Sequence, residues 1–415
     1  MEFNEASPLN LHLDLNSCFA SIEQQANPFL RGKPVVVVSY PTRGGCILAS
    51  SVEAKRLGIK TGMRVFEGQE KYSKLVVLKP DPWKYRNVHL KLKKILLEYT
   101  DDLSPKSIDE FVLNLKDYLL TYRTRSCTVV AQELKNRIKK EIGDWLTVSV
   151  GIAPNRYLAK VAAGLHKPDG LDEINKNNFL DIYTNLKLTD LTGIKSKNAV
   201  RLNAFGIYSV LDFYQSPIWK LKSAFHSITG LYWHMRLSGY EIDNVEFCRK
   251  SFGNSVALGK DISKMEDLSP ILARLTEKVC SRLRGTGYQA SGVHLALVYK
   301  NGTSWHKGRK LSESRFDTRD IYKAVFRLLM EANPISPVLN IAVSLFDLTR
   351  FGTLQMGLFE DRDKKERLVR SEDLINKRWG DFTIGSVRSF SGAKVVLDRI
   401  AFGGVKELEE RILDT

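Results

Sequence analysis

What this chain is short of narrows its character first. Among 415 residues there are five cysteines, Cys18, Cys46, Cys127, Cys248 and Cys280, an odd number with no C-x-x-C pair. That usage argues against a zinc site or a disulfide framework and leads us to expect a reducing compartment. No uninterrupted apolar run approaches the ~18 residues of a membrane span. The opening MEFNEASPLN has neither the basic flank nor the apolar stretch of an export signal. The cytoplasm is therefore the expected location, with no membrane partner. Internal repeats and low-complexity tracts are missing too, so nothing points to a repeat array. Acidic residues are outnumbered: 47 Asp plus Glu stand against 63 Lys plus Arg, a formal net charge of +16. A surplus of that size suggests a polyanionic partner. Hydrophobic residues make up 43% of the chain, ordinary for a folded protein. The length exceeds one ordinary core, so about two to four domains are expected.

Patterning gives the outline. In LNLHLDLNS (residues 9–17), Leu11, Leu13 and Leu15 share one face and His12, Asp14 and Asn16 the other, as in a half-buried strand. FASIEQQ reads as helix, KPVVVVS as a strand buried on both faces, and VEAKRLG as a helix closed by Gly58. Residues 84–100 form a basic amphipathic helix. In SPKSIDEFVLNL (104–115), the first four residues read as a turn and FVLNL as a strand. TVVAQELKNRIKKEIG is a helix, LTVSVGIA a strand, and APNRYLAKVAAGLHKPDG a helix ended by Pro168 and Gly170. This mixture is an α/β pattern. Residues 175–241 change to short helices separated by glycines. A third, α+β region begins at RKSFGNS (249–255), with helices around 265–285 and 318–332 and alternating strands at GVHLALVYK and VLNIAVSLFDL. The remainder is charged and mostly helical, broken by LQMGLFED.

The chemistry centres on carboxylates. Asp14 lies on the polar face of the first strand, and Asp109 and Glu110 stand at the lip of a later one. Buried without partners they would cost several kcal/mol each, on the order of the penalty for any uncompensated charge. Three carboxylates on neighbouring strands can hold two divalent cations, and hard oxygen ligands suit magnesium. Two such ions clamp the attacking and leaving oxygens of an in-line phosphoryl displacement. Strict alternation would aim Asp109 and Glu110 at opposite faces, so the preceding turn has to relax the pleat.

The residues around these carboxylates resemble the Y-family translesion DNA polymerases, the DinB/UmuC class. LDLNSCFASIEQQANP is similar to their first motif, SIDEF to the second acidic motif and TVSVGIAPNRYLAKVAAGLHKPDG to the third. EAKRLGIKTGM resembles the fingers, LTGIKSKNAVRLNAFGI the helix-hairpin-helix of the thumb, and RKSFGNS the entry to the little finger. The resemblance implies a right-hand polymerase of α/β and α+β domains. Its palm would span 1–17 and 84–174, fingers 18–83, thumb 175–241, linker 242–249, little finger 250–350 and a tail 351–415. It implies Asp14, Asp109 and Glu110 as catalytic metal ligands, with the Leu15 carbonyl as a backbone ligand to two Mg2+. Cys18, Phe19, Lys55 and Lys167 would contact the incoming deoxynucleoside triphosphate, with Phe19 as the aromatic gate against a ribose 2′-OH. Ala49, Val52 and Lys55 replace the T-x-x-Y-x-A-R residues of many DinB-type members, and this leans toward UmuC-like ones. Asn16 stands where a further Asp is frequent.

Further partners follow from the same resemblance. Primer-template DNA would be held by Gly193 and Lys195 in the thumb hairpin, which reads Gly-Ile-Lys rather than Gly-Ile-Gly. In the basic third region Lys250, Arg282, Arg284, Lys307 and Arg309 would contribute. Gln355, Leu358 and Phe359 in LQMGLF resemble the bacterial sliding-clamp motif, and UmuC-like members imply accessory subunits. Two rivals compete. A nucleotidyl cyclase would share paired acids but lacks need of the hairpin, and no G-G-D-E-F occurs. A catalytically weak DNA-binding scaffold of the same fold is the alternative.

Overall fold

The computed structural model describes residues 2–122, 125–245, 249–351 and 362–396. They divide into two compact units near residue 246. The first unit contains β1 (Asn10–Leu15), β2 (Val35–Val38), β3 (Ile47–Ser50), β4 (Val76–Leu78), β5 (Leu103–Pro105), β6 (Glu110–Asn114), β7 (Val148–Ala153) and β8 (Leu171–Glu173). Five of these make a sheet in the order β5-β6-β1-β7-β8, and the other three a small sheet β3-β2-β4. The alternation read in β1 sorts its two faces. Leu11, Leu13 and Leu15 are buried with Phe111, against which His89 of the helix Pro82–Leu97 stacks at 4.8 Å between ring centres. His12 and Asp14 face the other way, pairing across the ladder with Gly151 and Ser149 of β7.

That second face is covered by the helix Arg156–Leu165, and Gly151 is what lets it approach. A Cβ on Gly151 would lie 2.1 Å from the Ala159 carbonyl oxygen and 2.1 Å from the Ala163 nitrogen. Backbone cannot yield as a side-chain tip can. Gly151→Val is therefore expected to destabilise the protein by about 3 kcal/mol or more, the upper end of overpacking costs. Denaturant melting checks this, and an unchanged midpoint would refute so close a helix–strand contact.

The carboxylate turn is tighter than the sequence suggests. Ser104 and Pro105, read above as turn residues, lie in β5 and pair with Val112 and Phe111 of β6. Proline is tolerated there because β5 is an edge strand. The reversal is confined to residues 106–109, where the N–H groups of Lys106 and Ser107 both donate to the Glu110 carbonyl at 2.9 and 3.3 Å.

In the small sheet Val35 to Val38 are all fully buried, and Val36 and Val38 join Ile47, Ala54, Ile59 and Val65 in a core of their own. Five short helices follow β8: Phe179–Asn185, Ser196–Asn203, Val210–Gln215, Ile218–Phe225 and Thr229–Leu237. They enclose Tyr183, Phe213 and Trp233.

The second unit is an antiparallel sheet of β9 (Ser251–Ile262), β10 (Tyr288–Tyr299), β11 (Ser304–Arg315) and β12 (Val338–Arg350), in the order β11-β10-β12-β9. Helices Met265–Gly285 and Thr318–Ala332 bury Leu272, Leu275, Val325 and Leu328 against Val293, Leu295 and Val343. Two later helices, Arg362–Trp379 and Val387–Gly392, dock on the first of these. Arg284 donates from Nε and Nη2 to the two carboxylate oxygens of Asp373, each at 2.7 Å. The Arg274 guanidinium lies 3.8 Å from the centre of the Phe382 ring. A Cβ on Gly392 would sit 2.2 Å from the Pro270 carbonyl oxygen. Residues 362–396, which the sequence sets apart as a tail, are thus built into the same body as residues 250–350. Among the described residues no helix is long and apolar enough to cross a membrane.

Candidate active site

β1, β6 and the turn before β6 bring the acidic side chains together. Asp14 pairs directly with Glu110 across the ladder, so both project from one face. Asp109 precedes the strand. Its carbonyl accepts from the Leu15 N–H at 2.9 Å, and its Oδ1 accepts from Ser107 Oγ at 2.5 Å. Being in the turn frees Asp109 from the pleat, which is how two sequential carboxylates come to serve one region. One donor atom each from His12, Asp14 and Glu110 lie within 4.8 Å of one another; Asp109 borders that group rather than joining it.

Two lysines answer the charge. Lys167 Nζ is 2.6 Å from Asp14 Oδ2, and Lys160 Nζ, from the helix Arg156–Leu165, is 2.7 Å from Glu110 Oε2. Burial raises the Asp14 pKa, opposed by Lys167. Burial likewise raises that of Asp109, against the hydrogen bond from Ser107. For Glu110 burial is again the largest influence, but the hydrogen bond and charge of Lys160 outweigh it and bring the pKa down. The site holds partly desolvated carboxylates with incomplete compensation, which suits a divalent cation.

His12, on the same polar face of β1 as Asp14, joins the site as a residue to which its sequence context assigns no chemistry. It is 2% exposed, neither ring nitrogen has a hydrogen-bond partner among the described residues, and Nε2 lies 4.0 Å from Glu110 Oε2. Burial pushes its pKa down to about 3, so the imidazole is neutral beside the acids. The signal was its position two residues before Asp14 on a strand, hence on the same face.

The residues expected around the triphosphate are near. The helix Cys18–Ala26 starts after Ser17, whose φ of 52° turns the chain sharply out of β1. The buried Cys18 thiol is pushed up in pKa by burial, with Asp109 and Asp14 adding to it. Phe19 is 2% exposed and stacks on Tyr85 with ring centres 4.2 Å apart. The Tyr85 hydroxyl donates to Glu23 at 2.8 Å, which fixes the lower ring. Lys55, on the helix Val52–Arg56, has its pKa lowered by desolvation and by Lys167, while Asp14 and Asp109 pull it up. Its charge therefore belongs to the same cluster.

The residues expected on DNA are distributed differently. Gly193 has φ 96°, and a Cβ there would press on Trp233 at 3.2 Å. Lys195 is exposed at the N-terminus of the helix Ser196–Asn203. In the second unit Lys250 is exposed, and Arg282 donates to the Gly253 carbonyl at 3.0 Å. Lys307 and Arg309 are exposed but share Glu331, at 2.9 and 2.5 Å. Arg284 is corrected: its side chain is 9% exposed and committed to Asp373, so it serves the packing of residues 362–396 rather than a phosphate. Gln355, Leu358 and Phe359 lie outside the described residues.

Comparison with known proteins decides the family. The impB/mucB/samB family model matches residues 13–164, and its C-terminal-domain model matches residues 249–358. DNA polymerase IV of Pelotomaculum thermopropionicum is 32% identical over 395 residues, covering 93% of this chain and 96% of the relative. The chain belongs to the Y-family translesion DNA polymerases. DNA polymerase IV 2 of Bacillus subtilis is 31% identical, covering 94% of this chain and 96% of that one. Among solved structures, a Y-family DNA polymerase chimera of Dbh and Dpo4 superposes with a TM-score of 0.72 at 23% identity, over 82% of this chain and 99% of the other. An insertion ternary complex of Dbh DNA polymerase gives 0.58 at 23% identity, over 81% and 98%. With these relatives the weak-scaffold alternative is not favoured. The cluster is also compatible with the divalent metal ions that Y-family polymerases generally use.

Proposed function

We propose that this polymerase adds deoxynucleotides to a primer 3′-OH through Asp14, Asp109 and Glu110 acting as ligands to two Mg2+, with the Leu15 carbonyl as a backbone ligand. The observation that carries the reading is the direct pairing of Asp14 with Glu110, with Asp109 in the adjoining turn and Lys167 on Asp14. The donors are oxygens, as magnesium prefers, and buried enough to favour a counter-cation. When bound there, such ions supply Lewis-acid charge to the oxygens of the displacement. The chain's own groups do the rest. Lys167 exchanges its Asp14 partner for the triphosphate and, with Lys55, offsets charge on the departing pyrophosphate. Phe19 fills the space beside the sugar. Lys160 keeps Glu110 ionised, and neutral His12 adds no competing charge.

Residues 1–17 and 84–174 serve as palm, 18–83 as fingers, 175–241 as thumb, and the second unit as the little finger. Primer-template DNA is held by Gly193, Lys195, Lys250, Arg282, Lys307 and Arg309, largely through phosphates. The small β3-β2-β4 sheet supports weak geometric checking of the nascent pair, hence low fidelity. Ala49 and Val52 offer no polar side chain to the triphosphate, which supports the lean toward UmuC-like members and accessory subunits. Primer extension by the purified chain should require a divalent cation and continue past an abasic template site. Full arrest there, with normal synthesis on intact template, would count against bypass.

The sliding clamp is proposed from residues 354–359 by sequence alone. Deleting that segment should remove clamp-stimulated synthesis, a drop of about tenfold or more on the scale of lost avidity, and spare distributive synthesis. Equal loss of both would reject it.

A further inference from the structure

Asn16, two residues past Asp14, reaches a loop on the far side of β7. It is 4% exposed. Its Nδ2 donates to Ser149 Oγ at 2.9 Å. Its Oδ1 accepts from Thr147 Oγ1 at 3.1 Å and from the backbone N–H of Asp169 at 2.8 Å. The Asn16 N–H donates to the Thr147 carbonyl at 2.9 Å, and its carbonyl accepts from Ser21 Oγ at 2.7 Å. The last link of the side chain is thus to the residue two beyond Lys167.

The loop it grips is unusually constrained. Asp169 has φ 62°, in the left-handed region that side chains avoid. A Cβ at Gly170 would lie 2.5 Å from the His166 carbonyl oxygen. From the opposite side, Lys139 Nζ is 2.7 Å from Asp169 Oδ2, and Lys135 Nζ donates to the Asp169 carbonyl. A backbone held in such a conformation needs its surroundings to over-determine it. What the constraint delivers is the root of Lys167, whose ammonium sits 2.6 Å from Asp14 Oδ2.

We infer that Asn16 is a positioning residue: it holds the 167–170 loop so that Lys167 is aimed at the triphosphate before the nucleotide arrives. This rests on the triphosphate role of Lys167 proposed above. It explains why an amide can stand where a carboxylate is frequent. The task is to accept from the Asp169 N–H and to satisfy Thr147 and Ser149, and either side chain can do that. Ser149 Oγ already lies 3.4 Å from Asn16 Oδ1, ready to donate if the amide N–H is replaced. A methyl group accepts nothing and leaves the Asp169 N–H without its partner.

The test is single-nucleotide insertion kinetics for Asn16→Ala, Asn16→Asp, Lys167→Ala and the Asn16→Ala/Lys167→Ala double variant, with primer-template affinity and thermal midpoint read for each. Asn16→Ala should raise KM for the incoming deoxynucleotide about tenfold, with kcat within about threefold, as expected for lost preorganisation. Asn16→Asp should restore KM to within about threefold of the parent. Lys167→Ala should raise KM at least as far, and the double variant should be no worse than Lys167→Ala alone, since one residue acts through the other. Multiplying effects in the double variant would overturn the inference. So would an unchanged KM in Asn16→Ala while Lys167→Ala raises it. An unchanged KM in Lys167→Ala removes the triphosphate reading, and this inference with it. If Asn16→Ala does not fold, Asn16→Ser takes its place with the same expectations. Its hydroxyl stays near Thr147 and Ser149 but falls short of Asp169.

Discussion

Asp109→Ala is expected to lower primer extension by about a thousandfold while leaving the protein at least as stable as its parent and its DNA affinity unchanged. The loss follows from removing one oxygen ligand and one charge from the proposed metal site, where each 1.36 kcal/mol of transition-state stabilisation is about tenfold in rate. The stability follows from the opposite sign. Burial raises the Asp109 pKa, so folding disfavours its ionised form relative to the unfolded chain. The stabilising contribution of such a group is present below its unfolded pKa and lost as pH rises through the folded one. At neutral pH the ionised side chain therefore strains the cation-free protein, and alanine relieves it. Glu110 makes a poorer test, because its removal strands Lys160. Extension assays, melting without divalent ions and primer-template titration together decide the matter. Retained activity would dismiss Asp109 as a ligand, and loss of DNA binding in step with activity would indicate misfolding.

Phe19→Ala should admit ribonucleotides. The ring is buried and stacked face to face on Tyr85, whose hydroxyl is itself tied to Glu23. It cannot swing aside to accommodate an extra oxygen. Truncation should therefore reduce discrimination between deoxyribose and ribose by about 100-fold, comparable to other exclusions by pocket shape. It should also cost stability, about 3 kcal/mol or more for a buried phenylalanine. The ratio of kcat/KM for the two sugars cancels that loss, since both substrates meet the same folded fraction. An unchanged ratio would remove Phe19 as the gate.

Much of the architecture around the acids was legible because it is written in short periods. β1 alternates cleanly, with three leucines buried and His12 and Asp14 opposite, and its neighbours β6 and β7 are compact apolar runs. The long helices Met265–Gly285 and Thr318–Ala332 announced themselves by spacing in the same way. β9 and β11 did not. Both are edge strands. β11 is exposed along most of its length, so it has no alternation to be read, whereas β9 buries Phe252, Val256 and Leu258 at even positions but is interrupted by Gly253, Asn254 and Gly259. β5 was hidden by its Ser-Pro, which suits a turn as well as a sheet edge. Arg284 was misread for another reason. Its charge counts toward a basic surface in the sequence, while its partner Asp373 is supplied by a helix 89 residues further on. His12 and Asn16 were seen on the correct face, but their roles depend on cross-strand and loop partners that only the fold supplies.

The docking of residues 362–396 governs where this module can be cut. A graft or truncation ending after β12 would strip the cover from Arg274 and Glu277 and take from Arg284 the Asp373 carboxylate that it holds with two hydrogen bonds. Any exchange of this unit between relatives has to carry the chain through Val396, so that the seam falls in front of the sheet rather than behind it.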